Sequence, residues 1–330
     1  MKNRYIDAFS RLKEGLSKVS RLYDINIISL YWDAVKCFIR YGVTPNEYLG
    51  WRFYQLSHLE RSRFYTARDS RRWEQRFNDP NYADYFNQKQ LTNKKFREFI
   101  KRDWLYTKDC HENDIKKFLV THPKVIVKPI GLSSGRGIHV AKNENVQELM
   151  KGDYLLEEFI VQHSRMSILN ESSVNSIRIY TLSTLKGNIK ICSAPHVYIE
   201  NDVIFLSASI RVGGVGSEVD NYHAGGIGYP IEIQTGVVSG AGTTISGEKV
   251  LYHPGSGAKV IGFEIPNWKQ LVQFVIQLCH VVPNARLIAW DIAVLENGFE
   301  LIEANYDGDP GFMQAPTQTG KKKIIIHNYR

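Results

Sequence analysis

The texture of this chain changes at Lys124. Before it, glycines are few, aromatics are many, and apolar residues recur at helical spacing. After it, short β-branched runs alternate with clusters of Gly, Asn and Ser. "KVIVKPI", "IHVAK", "YLLEEFI", "SIRIYTLST", "NIKICSAPHVYI" and "VIFLSASIRV" read as strands. Residues 1–90 read as helical, with a turn at "YGVTPNEYLG", and Leu91 to Leu119 keeps a helical pattern. One clear helix comes late: Trp268, Leu271, Val272, Val275, Leu278, Cys279 and Val282 fall at helical spacing. Two last strands, "LIAWDIAVL" and "FELIEAN", flank "ENG". Strands in runs, with helices set apart, predict an α+β chain rather than a doubly wound one.

The chain has 330 residues, 43% hydrophobic and 23% charged, enough for two or three packed subdomains. The apolar stretch "INIISLYWDAVKCFI" is interrupted by Asp33 and Lys36 and is too short to span a bilayer. The start, "MKNRYIDAFSRLKEG", has no continuous apolar core of the signal-peptide kind, so the expected location is the cytoplasm. Cys37, Cys110, Cys192 and Cys279 are far apart and form no CxxC pair, which predicts reduced thiols and no zinc site.

The net charge is +8, and it is unevenly spread. Residues 1–110 hold 22 Lys and Arg against 13 Asp and Glu, while the remainder holds 20 against 21. Arg52, Arg61, Arg63, Arg68, Arg71, Arg72 and Arg76 concentrate the excess. Glu60, Asp69 and Glu74 are interleaved, as on a solvated helical face. The alternative is a contact with anionic membrane or a lipid-linked substrate, peripheral at the inner face of the membrane. No nucleic-acid motif accompanies the basic residues, so no nucleic acid is expected.

Three segments carry chemistry. "VIVKPIGLSSGRGIHVAK" ends a strand in Lys128 and follows it with a loop rich in glycine and serine. The loop is longer than the roughly two to five residues of an ordinary hairpin. It matches neither the Walker A nor the GxGxxG pattern. Backbone amides free of bulky side chains can still approach phosphate oxygens, and Lys128 would add a point charge. "YLLEEFI", Tyr154 to Ile160, sets two carboxylates in an apolar strand, as an edge strand or a base-reading segment would. "WDIAVLENGFELIEAN" brings Asp291, Glu303 and Asn305, oxygen donors suited to Mg²⁺. Glu303 and Asn305 share a strand face. A loop of three residues, Glu296-Asn297-Gly298 with Gly298 left-handed, would pair Asp291 with Glu303; an Asn297-Gly298 loop would pair Ile292 with Glu303 instead. The longer loop is the expectation.

Asn93-Lys94, the "VIVKP" strand with its glycine loop, "LLEEFI", the arginine of "NSIRIYTL" and Asp…Glu-x-Asn occur in the order of the ATP-grasp superfamily. Over roughly residues 90–315 the chain resembles that superfamily. With its basic, aromatic N-terminal region ("NEYLGWRFYQLSHLERSRF") it is most similar to the sugar-transfer-associated ATP-grasp proteins of polysaccharide biosynthesis. The resemblance implies two α+β subdomains gripping ATP, preceded by a mainly helical region. The expected boundaries are a helical, basic region over 1–90, an N-terminal subdomain with the phosphate loop over 91–160, and a C-terminal subdomain over 161–330.

The resemblance also implies roles. Lys94 and Lys128 would hold the nucleotide phosphates, and the loop Gly131, Ser133, Ser134, Gly135 and Gly137 would close over them. Glu157, Glu158, Phe159 and Ile160 would meet adenine through the backbone. The family's ribose-binding acid has no counterpart in "VQHSRMS", which offers only Gln162 and His163. Arg178 would meet the γ-phosphate or an acyl phosphate. Asp291, Glu303 and Asn305 would hold two Mg²⁺, or Mn²⁺ in their place. In "SIRVGGVGSEVDNYHAGG", Arg211 would take a carboxylate or phosphate, with Asn221, His223 and Gly225-Gly226 near the transferred phosphate.

The implied activity is an ADP-forming ligase that joins a small-molecule or glycan-linked carboxylate to an amine or hydroxyl through an acyl phosphate. Two readings compete with it: a kinase of the same fold acting on a polyol or lipid-linked sugar, and a non-catalytic scaffold of a glycan assembly complex. Intact Lys128, Asp291, Glu303 and Asn305 speak against the scaffold.

Overall fold

Two antiparallel sheets divide the strands. The computed structural model describes residues 2–132, 137–141, 145–185, 198–217, 220, 222, 225–306 and 308–323, and of residues 2–9 and 11 it describes the backbone alone. Eight helices precede or interleave the first strands: α1 (Lys2–Tyr23), α2 (Ile27–Tyr41), α3 (Pro45–Gly50), α4 (His58–Arg61), α5 (Ala67–Phe77), α6 (Asp84–Asn87), α7 (Lys89–Lys95) and α8 (Glu112–Thr121). The small sheet runs in the order β1 (Trp104–Tyr106), β4 (Tyr154–Glu158), β2 (Val125–Pro129), β3 (His139–Val140), with α9 (Val146–Lys151) beside it. After the short α10 (Ser164–Ser167) comes the large sheet. It is built from β5 (Ile177–Ser183), β6 (Tyr198–Glu200), β7 (Val203–Val212), β8 (Ile227–Glu232), β9 (Val237–Val238), β10 (Gly242–Thr243), β11 (Lys249–Val250), β12 (Leu287–Leu295) and β13 (Gly298–Asn305). Its central order is β8-β7-β5-β12-β13. Helix α11 (Trp268–Val281) packs on it, and α12 (Pro310–Gln314) follows β13.

The expected strand runs and the late helix form where the sequence pattern put them. Other features differ from it: "PNEYLG" of the expected turn is the helix α3, started by the Thr44 capping box and Pro45, and β8 to β11 are strands in a stretch where none was expected. "WLY" inside the stretch read as helical is β1, held by its pairing with β4. The run "NIKICSAPHVYI" lies mostly outside the described residues; its end is β6. Cys37, Cys110 and Cys279 are free thiols, and Cys192 is outside the described residues.

The large sheet is covered on both faces. Ile177, Ile179, Phe205, Ala208 and Ile210 point to the α11 side, where Leu271, Val275 and Leu278 meet them. Tyr180, Leu182, Ile204, Leu206 and Ala289 point the other way, against Leu16, Tyr48, Trp51 and Phe53 of the N-terminal region. Residues 1–90 are thus an outer layer of the main core and contribute its aromatic half. They also brace α12: the Trp51 indole donates to the Gly311 carbonyl at 2.9 Å, and Gln314 exchanges hydrogen bonds with the Tyr65 backbone at 2.7 and 2.9 Å. The small sheet has a core of only Ile115, Val125, Val127, Leu149 and Leu156.

Candidate functional site

Asp291 lies at the middle of a row of paired residues. It pairs with Arg178 on one side and Glu303 on the other, and Arg178 pairs with Ser209. Two β-bulges flank this row. In β7, Tyr180 pairs with Ser207 and Thr181 with Phe205, so Leu206 is the extra residue. In β13, Asp291 pairs with Glu303 and Ile292 with Leu301, so Ile302 is extra. Each bulge reverses the in–out alternation of its strand. The first turns Ser207, Ser209 and Arg211 to the face of Arg178, and the second turns Glu303 and Asn305 to the face of Asp291.

The expected pairing of Asp291 with Glu303 therefore occurs, but by another route. Leu295 pairs with Gly298, so the turn holds two residues, Glu296 and Asn297, and the bulge at Ile302 restores the register. Gly298 has φ +104°, the left-handed side that a glycine tolerates. A turn alone sets register only if the strands are regular beyond it, and these are not.

Asp291 is fully buried. Arg178 donates to both its oxygens, at 2.6 and 2.5 Å, and Arg211 adds a contact of 3.0 Å to Oδ2. Burial by itself would push the carboxyl up; the two guanidiniums outweigh that and hold it below its usual range. Arg211 also donates to Ser176 Oγ at 3.1 and 2.9 Å, and Ser176 in turn reaches Asp220. The Asn305 amide lies 3.5 Å from Asp291 Oδ2. Glu303 is exposed and makes no hydrogen bond or ion pair among the described residues. The buried hydroxyls of Ser207 and Ser209, on the Arg178 face, have no partner. Orphaned buried hydroxyls, an unpaired carboxylate and a second carboxylate beside an amide form an unsatisfied oxygen-rich site. That donor set fits a hard divalent cation.

The small sheet supplies a second cluster. Glu157 of β4 is 2% exposed. It accepts from the Lys128 ammonium, from Arg102 at 2.8 Å and from the Asn93 amide at 2.9 Å. Burial opposes its ionisation, but Arg102 and Lys128 prevail and hold the carboxyl far below its usual range. Arg102 also donates to Glu300 of β13 at 2.6 Å and to the Leu301 carbonyl at 2.8 Å, which ties the small sheet to the large one.

The loop expected to close over phosphates has a left-handed glycine at either end, Gly131 at φ +77° and Gly137 at φ +72°. Ser133, Ser134 and Gly135 lie outside the described residues, as do Asn221 and His223. The Lys94 ammonium pairs with Asp109 at 2.7 Å on the surface. Lys89 reaches the start of the loop, donating to the Leu132 carbonyl at 2.7 Å. Burial draws the Lys89 ammonium below its usual range; Glu303 opposes this, and the neighbouring Lys128 charge adds to it. Lys89 therefore sits within electrostatic reach of both sheets. The sequence held a signal for it: Lys89 and Asn93 are four apart on α7 and share a face, whereas Lys94 is rotated about 100° further.

In the expected adenine segment, the Glu158 and Phe159 N–H groups donate to Asp103 and Lys124 carbonyls at 2.9 and 3.0 Å. The Ile160 N–H makes no hydrogen bond among the described residues. Lys124 lies 3.5 Å over the Phe159 ring. His122 stands between Asp103 at 3.3 Å and Glu158 at 3.8 Å, and one ligand atom from each of the three lies within 4.8 Å of the other two, so this trio could hold a metal ion.

No curated protein matches the chain. Among solved structures it is similar to the ATP-grasp ligase PsnB in complex with a phosphomimetic variant of its minimal precursor, Mg and ADP. That match has a TM-score of 0.45 and 12% identity over 84% of this chain and 70% of that one. The D-alanine–D-alanine ligase from Bacillus anthracis gives a TM-score of 0.43 at 10% identity, over 79% of this chain and 73% of that one. These likenesses are distant, and no residue role is taken from them. The family described as sugar-transfer associated ATP-grasp matches residues 149–327, more than half of the chain. The chain belongs to the sugar-transfer-associated ATP-grasp family.

Proposed function

We propose that the chain is an ATP- and Mg²⁺-dependent ligase. It joins a carboxylate to an amine or hydroxyl on a sugar or glycan precursor of polysaccharide biosynthesis. The observation that carries this reading is the position of Lys89, against the phosphate loop of the small sheet and within electrostatic reach of Glu303 on the large one. Lys128, paired with Glu157 on the small sheet, and Arg178 and Arg211, paired with Asp291 on the large one, are the other cations in this reading.

Phosphoryl transfer needs charge neutralisation and alignment more than covalent help. A substrate carboxylate oxygen attacks the γ-phosphorus, the bond to the bridging oxygen breaks, and ADP leaves. The amine or hydroxyl then attacks the acyl carbon and loses its proton, and phosphate departs with the C–O electron pair. Lys89 and Lys128 would bind the nucleotide phosphates. Arg178 and Arg211 would orient the reacting carboxylate and stabilise the charge that builds on the transferred group. Asp291, Glu303 and Asn305 would hold Mg²⁺, which offsets phosphate charge when bound. Both oxygens of Asp291 face guanidiniums, so a bound cation would share this carboxylate with Arg178 and Arg211.

Thermal shift with ATP, with and without Mg²⁺, tests the nucleotide site in the native protein, Lys128→Ala and Glu303→Ala. Mg-dependent stabilisation that both variants lose is the expected result. No stabilisation at millimolar Mg-ATP overturns the reading. A product assay over sugar-linked carboxylates and amines then separates chemistries: a ligase releases ADP and free phosphate together, whereas a kinase leaves the phosphate on the acceptor.

A further inference from the structure

Helix α2 is apolar on two opposite sides. Leu30 and Cys37 point inward and are buried. On the far side Ile28, Trp32, Val35 and Ile39 are 64, 62, 46 and 67% exposed. Their spacing of four, three and four residues sets them on one narrow stripe, about half a turn from the buried pair. Phe38 widens the stripe, while Leu22 before it and Leu59 after it are exposed too. The neighbouring α1 follows the ordinary pattern, with Leu12, Leu16 and Val19 inward and Lys13, Glu14 and Lys18 in solvent. A contiguous exposed apolar face of this kind marks a contact surface.

The charges around the stripe identify its partner. The stripe carries no acid. The one acid of α2, Asp33, is turned inward, where Arg61 and the Tyr48 hydroxyl each reach it at 2.8 Å. The nearest acids outside it, Asp24 and Glu60, lie off the helix. Lys36 and Arg40 run along one flank and Arg21 stands in the last turn of α1. Arg68 closes the far end, donating to the Phe38 and Ile39 carbonyls at 3.1 Å. Among the described residues no helix is long and apolar enough to cross a membrane. At about 1.5 Å per residue, the 15 residues of α2 fall short of the roughly 30 Å hydrocarbon core.

We propose that α2 docks the protein on an anionic bilayer surface. The helix lies in the interface plane, with Ile28, Trp32, Val35 and Ile39 buried at the headgroup boundary and the flanking Lys and Arg on acidic headgroups. Apolar residues on one face, basic flanks and an exposed Trp are the features of an in-plane interfacial helix. The inference uses no residue of the nucleotide site and stands apart from the ligase reading.

Vesicle co-sedimentation tests it, with phosphatidylcholine alone and with about one third phosphatidylglycerol at physiological salt. The native chain should partition to the anionic vesicles, more weakly as salt rises. Ile28→Asp with Trp32→Asp should lower partition by at least ~10-fold, since each puts a charge into the apolar interface. Both positions are exposed, so the melting temperature and any Mg-ATP stabilisation should be retained. Arg21→Glu with Lys36→Glu should abolish the preference for anionic lipid. No partition at millimolar lipid overturns the proposal, as does partition unchanged by the aspartates. So does a self-association in solution that the aspartates dissolve, which would make a second copy the occupant. Partition that appears only after removal of residues 324–330 overturns it as well, since the stripe would then belong to the chain's own end.

Discussion

Two buried ion clusters use the same chemistry to different ends. Glu157 and Asp291 are both buried carboxylates held by cations from neighbouring elements. Around Glu157 the carboxylate is fully engaged: Asn93, Lys128 and Arg102 converge on it, and Arg102 goes on to Glu300 and the β13 backbone, with its Nε the one buried polar atom of these side chains without a partner among the described residues. The Asp291 carboxylate is held by Arg178 and Arg211, but its surroundings are open: among the described residues the Ser207 and Ser209 hydroxyls and Glu303 have no partner, and the contact to Asn305 is long. A closed buried network fixes geometry, and an open one waits for a ligand. The first cluster is a joint between the sheets; the second is the place where chemistry is expected.

The largest expected effect tests the joint. Arg102→Met strands the buried Glu300 and takes one of two cations from the buried Glu157, and should cost about 3–5 kcal/mol, read as a shift in the urea midpoint. Replacing Glu157 and Glu300 by Met and Leu in the same chain should recover much of that. An Arg102→Met protein as stable as the native one would end the distinction between the clusters.

Glu303→Gln tests the open site. Turnover of Mg-ATP should fall by about 10²–10³, while stability stays within about 0.5 kcal/mol because the side chain is exposed and unpaired. A matching loss of stability would show that Glu303 is part of the scaffold.

Acid should weaken both clusters. Glu157 and Asp291 bind protons more weakly folded than unfolded, so the stability they contribute is complete above the ordinary carboxylate range. It is lost as pH falls below about 4.5 toward their depressed folded values. Urea midpoints that stay level from pH 6 down to pH 3 would contradict this sign.

The smallest effects separate two lysines. Lys89→Ala should raise the KM for ATP by about 10-fold, since it removes one phosphate-facing charge. Lys94→Ala should leave KM unchanged and cost under about 1 kcal/mol, as expected of an exposed pair with Asp109. The reverse outcome would return Lys94 to the nucleotide.

Much of the large sheet was legible because β-branched runs and turn residues are local signals. Lys128, Glu157, Asp291, Glu303 and Asn305 stood out because polar residues inside apolar strands are conspicuous. Arg102 did not, since its partners Glu157 and Glu300 are 55 and 198 residues away. Strand β1 also went unread, because three residues carry no usable period and pairing with β4 decides their state.

By itself the sequence determined the α+β class, the order of the strands' chemistry and the basic bias of the first third, all properties of neighbouring residues. Only the tertiary structure decided that the N-terminal helices are a layer of the main core, that Lys89 reaches the Leu132 carbonyl while Lys94 pairs with Asp109, and that Asp291 meets Glu303. The last depends on bulges at Leu206 and Ile302. A single unpaired residue there sends every later side chain to the other face, and its position is set by the packing of whole sheets rather than by any neighbour in sequence.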